Sequence, residues 1–235
     1  MSELQLNNNL SNQDRIAILG SSRGLGWSVY QEILKQFPEI HFFLASRKIF
    51  QREDEVSKNT VLLIQDFSKT PLNKDFLSAL KLFNPTRILY VAGGGPYGLF
   101  QEKKWSDHSW ALTTTLIYPA ELLHLVLTEC KSQTESEIKS WAKLTQITFV
   151  GSQIAESKPD PNAASYAAAK HGLKGLITSV QAEAVQKPNI LLFSPGYMQT
   201  DMLPAHSWPI AQGLALSSGL VAKQLIAFIE KNDQR

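Results

Sequence analysis

Six short runs of β-branched and aromatic residues punctuate the chain: Arg15 to Leu19, Ile40 to Ala45, Val61 to Gln65, Arg87 to Val91, Gln146 to Val150 and Ile190 to Phe193. Each ends near Gly, Asp, Ser or Pro, the pattern of a parallel strand buried on both faces. Between them the period changes to that of a helix. Leu25, Val29, Ile33 and Phe37 share one face, and Leu173, Ile177 and Val180 share another. This alternation predicts βαβ units and hence an α/β, Rossmann-like, doubly wound parallel sheet of about six strands. Right-handed crossovers put helices on both faces and the ligand site at the carboxyl ends of the strands. No internal repeat or Pro/Gly linker divides the pattern, and the polar run from Lys131 to Lys143 reads as a helix end with its loop.

At 235 residues, 43% of them hydrophobic, the chain has enough material for one sizeable core. Residues 1–14 are rich in Asn, Gln and Ser and read as a flexible extension, leaving 15–235 as the single domain. A net charge of +2 gives no electrostatic case for nucleic acid or an anionic membrane. No apolar run of about 18 residues stands out, so the expectation is a soluble chain with small-molecule partners. The single cysteine, Cys130, cannot form an internal disulfide, which suits the cytoplasm. The histidines show no metal-ligand spacing, and no metal is expected.

Gly20-Ser21-Ser22-Arg23-Gly24-Leu25-Gly26 lies between the first strand and the first amphipathic stretch. In that context a glycine turn is a phosphate cradle. Gly20 permits the tight turn, Gly24 lets backbone N–H groups approach a pyrophosphate, and Gly26 lets helix and strand pack closely, with Ser22, Arg23 and Leu25 between them. The spacing is GxxxGxG rather than the GxGxxG of the best-known dinucleotide turn.

The end of the second strand discriminates between dinucleotides, because a carboxylate there grips the ribose hydroxyls of NAD and repels a 2′-phosphate. This chain has Ser46-Arg47-Lys48 instead. Arg47 can pair with a 2′-phosphate through its planar fork, Ser46 can donate, and Arg23 can add a second charge, so NADP(H) is expected over NAD(H). The bland alternative is that Arg47 and Lys48 are solvated loop charges. After the third strand, Asp66 can accept from an adenine amino group and Phe67 can cover the ring, unless Asp66 merely caps the next turn.

Tyr166 and Lys170 stand four residues apart in an alanine-rich, helix-favouring stretch and leave the same face one turn apart. A phenol of pKa about 10 is a poor acid at neutrality. An adjacent ammonium lowers that value, and reaching neutrality asks about 4 kcal/mol of the surroundings. A bare YxxxK is most often an exposed pair on a helix. Here Ser152 stands at the carboxyl end of the fifth strand, where an open sheet holds its ligands, and can anchor a substrate oxygen for Tyr166.

Together these residues resemble the short-chain dehydrogenase/reductase family, from about Arg15 to Glu230. The resemblance implies that Ser152, Tyr166 and Lys170 are the catalytic residues, that Tyr166 delivers the proton, and that Lys170 also binds the nicotinamide ribose. Asp66 falls at the adenine-binding acid. Pro195-Gly196-Tyr197-Met198-Gln199-Thr200 is similar to a PGxxxT turn, so Pro195, Gly196, Met198 and Thr200 are expected at the nicotinamide carboxamide. Three departures accompany it. Tyr90-Val91-Ala92-Gly93 replaces Asn-Asn-Ala-Gly, keeping Ala92 and Gly93 as room for the cofactor but losing both amides. Thr115 aligns with the helix asparagine that holds a relay water. The chain reaches Arg235 directly after its last helix, so the usual seventh strand is expected to be missing.

The implied activity is NADPH-dependent oxidation or reduction of a small, neutral alcohol or carbonyl by a homodimer or homotetramer. The alternative is an NADP(H)-binding sensor or scaffold that has lost turnover. A sugar-nucleotide epimerase needs an added substrate domain for which 235 residues leave no room. Met202 to Pro209 reads as an apolar lid, and Tyr97, Trp105, Trp110 and Tyr197 as candidates to line the substrate cleft or the core.

Overall fold

The computed structural model describes residues 10–131, 141–155, 161–183, 188–201 and 203–232. Its strands are β1 (Arg15–Leu19), β2 (His41–Ser46), β3 (Thr60–Ile64), β4 (Arg87–Tyr90), β5 (Gln146–Val150) and β6 (Asn189–Phe193). They form one parallel sheet in the order β3-β2-β1-β4-β5-β6. The order reverses between β1 and β4, which opens a crevice at their carboxyl ends.

Strand alternation divides the core into two layers. Ile16 and Ile18 of β1 face a layer built by Val29, Tyr30 and Ile33 of α1 (Gly24–Gln36) and by Val221, Leu225 and Ile226 of α7 (Ser218–Lys231). Ala17 and Leu19 face the opposite layer, made by α2 (Lys74–Phe83), α4 (Tyr118–Lys131) and α5 (Ala164–Ala182). Each such aliphatic side chain, fully buried, contributes about 1.5–3 kcal/mol. These layers hold the crevice rigid from both sides.

Three features depart from the sequence-based expectations. Leu10 and Asp14 are 4% and 1% exposed, so the folded domain begins at the end of the expected extension. Asp14 accepts from Thr86 Oγ1 at 2.8 Å and pairs with the equally buried Arg87, and that charge pair anchors the segment. Residues 1–9, most of the polar run after Lys131, Met202 and the last three residues lie outside the described residues.

The second concerns α3 (Trp105–Leu112), which runs through a π-helical turn, Thr113–Ile117, into α4. The resulting helix, Trp105–Lys131, is apolar and long enough to span a bilayer by composition. Its Leu122, Leu123 and Val126 pack on the sheet, so the apolar character serves the core.

The third is a small parallel ribbon, β7 (Met198–Gln199) with β8 (Leu216–Ser217), which joins the segment after β6 to the start of α7. The short helix α6 (Trp208–Ala211) lies between them. No further strand extends the main sheet beyond β6 among the described residues.

Candidate active site

The glycine turn closes on itself. Gly20 has φ +101, and a Cβ there would lie 2.4 Å from the Ala92 nitrogen; a Cβ on Gly26 would lie 2.2 Å from the Gly20 carbonyl oxygen. Only hydrogen fits at either place. The N-cap of α1 is Arg23, whose side chain makes no capping bond, and no acidic residue stands in the first turn. The helix therefore presents its first amide groups and positive dipole end to the crevice, the arrangement that receives an anion.

A cleft of about 1310 Å³ extends from this turn across the strand ends. Ser22, Leu25, Ser46, Arg47, Asp66, Phe67, Ala92, Gly93, Met198 and Thr200 line it together with the glycines, as do Tyr166 and Lys170. Gly196 lines a smaller adjoining cavity instead. Pro195 lines neither and is buried, its carbonyl accepting from the Gln153 amide at 2.9 Å.

The cations divide among several tasks. Arg23 reaches across the mouth of the cleft to Asp201 at 3.2 Å, with both side chains largely exposed (67% and 77%). Such a pair is worth at most about 1 kcal/mol and leaves Arg23 available. Arg47 lies over the Trp110 ring, its Cζ 5.8 Å from the centroid. Arg52, which the sequence pattern did not single out, also lines the cleft; it donates to the Ser22 carbonyl at 3.2 Å and stacks on Trp27. Burial pushes the Asp66 carboxyl up, but hydrogen bonds from Ser68 and the charges of Arg47 and Lys69 outweigh it and hold the group below its ordinary value.

The Ser46 hydroxyl is buried in the cleft wall without a hydrogen-bond partner. A buried polar atom of this kind has a desolvation cost that a ligand can offset. With the uncapped helix and the glycine cradle, it makes the residues present fit a phosphorylated dinucleotide.

Phe67 corrects the expectation placed on it. Its ring is 5% exposed and makes edge-on contacts with Phe76, Tyr90 and Tyr118 in the core, so it cannot cover a base in the cleft. Trp105 is 69% exposed and lines neither cavity, whereas Trp110 lines the large cleft rather than the small cavity.

Ser152, Tyr166 and Lys170 meet where β5 ends against α5. The Ser152 hydroxyl is hydrogen-bonded to the Tyr166 phenol. Lys170 is 3% exposed and donates to the Val150 carbonyl at 2.6 Å. Burial pushes the phenol up to about 12, with the Ser152 bond pulling the other way, and burial pushes Lys170 down to about 7. This reverses the expectation of a phenol already lowered by its cationic neighbour. Desolvation dominates because the ammonium is itself destabilised by the same dry surroundings.

Thr115 is buried in the π-helical turn and does not line the cleft. Its hydroxyl accepts from the Gly94 amide at 3.2 Å and donates to the Gly94 carbonyl at 3.3 Å. It therefore holds the glycine loop beside Lys170: a Cβ on Gly93 would be 3.3 Å from both Thr115 Oγ1 and Lys170 Nζ. With its one proton committed to that loop, the hydroxyl is placed to position backbone rather than to hold a relay water.

His108 and Ser165 were also missed. His108 Nε2 lies 3.0 Å from the Phe100 carbonyl, which can only accept, so Nδ1 accepts from Ser165 Oγ at 2.5 Å. The bond ties α3 to the first turn of α5, immediately before Tyr166. A lone histidine in a helix gave no signal for it, because the partner is distant in the chain.

The smaller cavity, about 110 Å³, is lined by Tyr97, Ser152, Gln153, Ile154, Tyr197 and Leu203 among others; among the described residues, its only ionisable side chains are Tyr97, Tyr166 and Tyr197. Of the segment expected as a lid, Leu203 lines this cavity and Trp208 packs edge-on against Tyr197, one of its lining residues. Tyr166 lines both cavities.

The sequence matches the family described as short chain dehydrogenase over residues 14–208. The chain belongs to that family. It is an oxidoreductase fold with a nicotinamide-dinucleotide cleft, and solved structures agree in architecture. A short chain dehydrogenase from Burkholderia cenocepacia in complex with NADP is 16% identical with a TM-score of 0.74, covering 94% of this chain and 86% of that one. A 4-hydroxyisoleucine dehydrogenase complexed with NADH is 18% identical with a TM-score of 0.72, covering 93% and 90%. BdcA in complex with NADPH is 16% identical with a TM-score of 0.71, covering 92% and 87%. No curated protein sequence matches this chain significantly.

Proposed function

We propose that the protein is an NADPH-dependent carbonyl reductase acting on a small, uncharged carbonyl compound or, in reverse, on its alcohol. The observation that carries this reading is the position of Tyr166 on the shared wall of a large nucleotide-sized cleft and a small apolar cavity. A substrate oxygen in the small cavity is within the domain of both Ser152, which can hold it, and Tyr166, which can protonate it. The bound cofactor supplies the hydride.

A phenol held near 12 is fully protonated at neutrality and is in the state required of an acid. When the proton leaves, the phenolate must be stabilised, and a protonated Lys170 beside it does so electrostatically. Lys170 near 7 is poised between its two forms, so it can gain charge as the cleft fills with anionic cofactor.

The preference for NADPH rests on Ser46, Arg47 and Lys48 at the end of β2, a stretch that carries no carboxylate of its own, with Arg52 alongside. The small volume of the second cavity and the lack of a charged side chain among its described lining residues favour a compact neutral substrate over a carboxylate or phosphate. Exposed Leu99, Phe100, Trp105 and Ile117 around α3 support assembly as a homodimer or homotetramer, and Cys130 as a lone thiol is compatible with the cytoplasm.

The test is NADPH oxidation with diketones, quinones and aromatic aldehydes, alongside the Tyr166→Phe variant. Turnover is expected to fall about 10²–10⁴-fold in the variant, as loss of a general acid does, while NADPH affinity holds. A wild-type chain that binds NADPH but reduces nothing in the panel would favour the sensor reading instead.

A further inference from the structure

Tyr166 belongs to α5, and the loop between β4 and α3 lies against it. Gly95, Pro96 and Tyr97 of that loop line the small cavity together with Tyr166. A Cβ on Gly95 would stand 2.7 Å from Tyr166 Cβ, so loop and helix are in direct contact, and Tyr97 and Tyr166 pack on one small cluster of Ile154, Ala163 and Ala167. The spacing between loop and helix therefore sets the room beside the phenol. Two ties fix it. The Gly98 amide donates to the Asn162 carbonyl at 2.8 Å, just ahead of α5. His108 of α3 makes the other, standing between the two segments: Nε2 donates to the Phe100 carbonyl at 3.0 Å, and Nδ1 accepts from Ser165 Oγ at 2.5 Å. The imidazole is 4% exposed and stacks on the Phe100 ring with centroids 4.3 Å apart. Its donor and its acceptor are built into one rigid plane, so it holds a distance that a flexible side chain would let vary. Neither His108 nor Ser165 lines either cavity, and both act through the segments they join.

We infer that His108 is a positioning residue, a strut that holds the Gly95 to Tyr97 wall at a fixed distance from Tyr166 and so restricts the small cavity to compact carbonyl compounds. The inference rests on the reductase reading of Tyr166 and adds the residue that decides substrate size. It is independent of which dinucleotide is bound.

The test is steady-state kinetics of the full chain at saturating NADPH on three pairs of compact and bulky compounds: diacetyl and benzil, benzaldehyde and naphthaldehyde, benzoquinone and phenanthrenequinone. His108→Phe keeps a ring to stack on Phe100 and removes both bonds, whereas Ser165→Ala removes one. Each is expected to lower kcat/KM for the compact member about ten- to a hundredfold, the scale of a reacting group misplaced by about an ångström, chiefly through a higher KM. The bulky member should lose far less, so the compact-to-bulky ratio falls. An unchanged Kd for NADPH separates this from a misfolded chain, and Ser165→Ala carries the comparison if His108→Phe loses that binding. His108→Asn, whose amide oxygen can accept from Ser165, should recover part of the ratio. Equal losses for compact and bulky compounds, or wild-type kinetics in both variants, would overturn the strut and leave the reductase reading standing. A wild-type chain that binds NADPH and reduces none of these compounds would overturn both.

Discussion

Lys170 Nζ stands 5.5 Å from the centroid of the Tyr166 ring, yet its hydrogen bond goes to the Val150 carbonyl at 2.6 Å. The two groups share one dry site, and burial moves them in opposite directions, the phenol up to about 12 and the amine down to about 7.

A consequence follows for stability. An unfolded lysine titrates near 10.4, so between about pH 7 and 10.4 the unfolded chain binds a proton here that the native chain does not. The penalty of Lys170 is therefore complete below pH 7 and fades as pH rises through that window. Tyr166 has the opposite effect at higher pH: between about 10 and 12 the native chain keeps a proton that the unfolded one loses, and stability falls. Denaturant unfolding of wild type and Lys170→Met should show the variant gaining on wild type at pH 6 and losing that advantage by pH 9.5. A pH-independent difference would show that the amine is not desolvated.

Arg47 is the cation placed where a 2′-phosphate is expected, and a charged hydrogen bond of this type contributes about 1.5–3 kcal/mol. Arg47→Asp should weaken NADPH binding about a hundredfold and NADH binding far less, measured as dissociation constants for the two cofactors. Equal losses would place the phosphate contact elsewhere.

Asp14 and Arg87 are each 1% exposed, and Arg87 also donates to Gln146 at 3.3 Å. Removing one partner of such a pair leaves a buried uncompensated charge and costs about 3–5 kcal/mol, whereas an apolar replacement of both is often nearly neutral. Asp14→Ala should accordingly be strongly destabilised in urea, and Asp14→Ala with Arg87→Met should recover much of the loss. If the single variant unfolds at the wild-type midpoint, residues 10–14 are not part of the cooperative unit.

Much of the site was legible because its parts sit at the ends of regular elements. Ser152 follows β5, the glycine turn joins β1 to α1, and Tyr166 and Lys170 share one face of α5, so period and punctuation were enough to bring them to one edge. Contacts between segments remote in sequence were not legible. Nothing local distinguishes Phe67, whose ring enters the core, from Trp110, whose ring stays in the cleft; the difference lies in Tyr90, Tyr118 and Phe76, which surround the Phe67 ring from distant parts of the chain. The same holds for the Arg52 bond to the glycine turn and the His108 bond to Ser165.

The sequence by itself determined the six strands of the main sheet, the order in which helices alternate with them, and the identity of the groups able to move a proton, because hydrophobic period and turn residues act over a few positions. The tertiary structure alone decided the protonation tendencies of Tyr166 and Lys170, the commitment of Thr115 to Gly94 and the inclusion of Leu10 and Asp14 in the fold. Each of these depends on how much water reaches a group and which distant partner replaces it, and both are set only when the layers close.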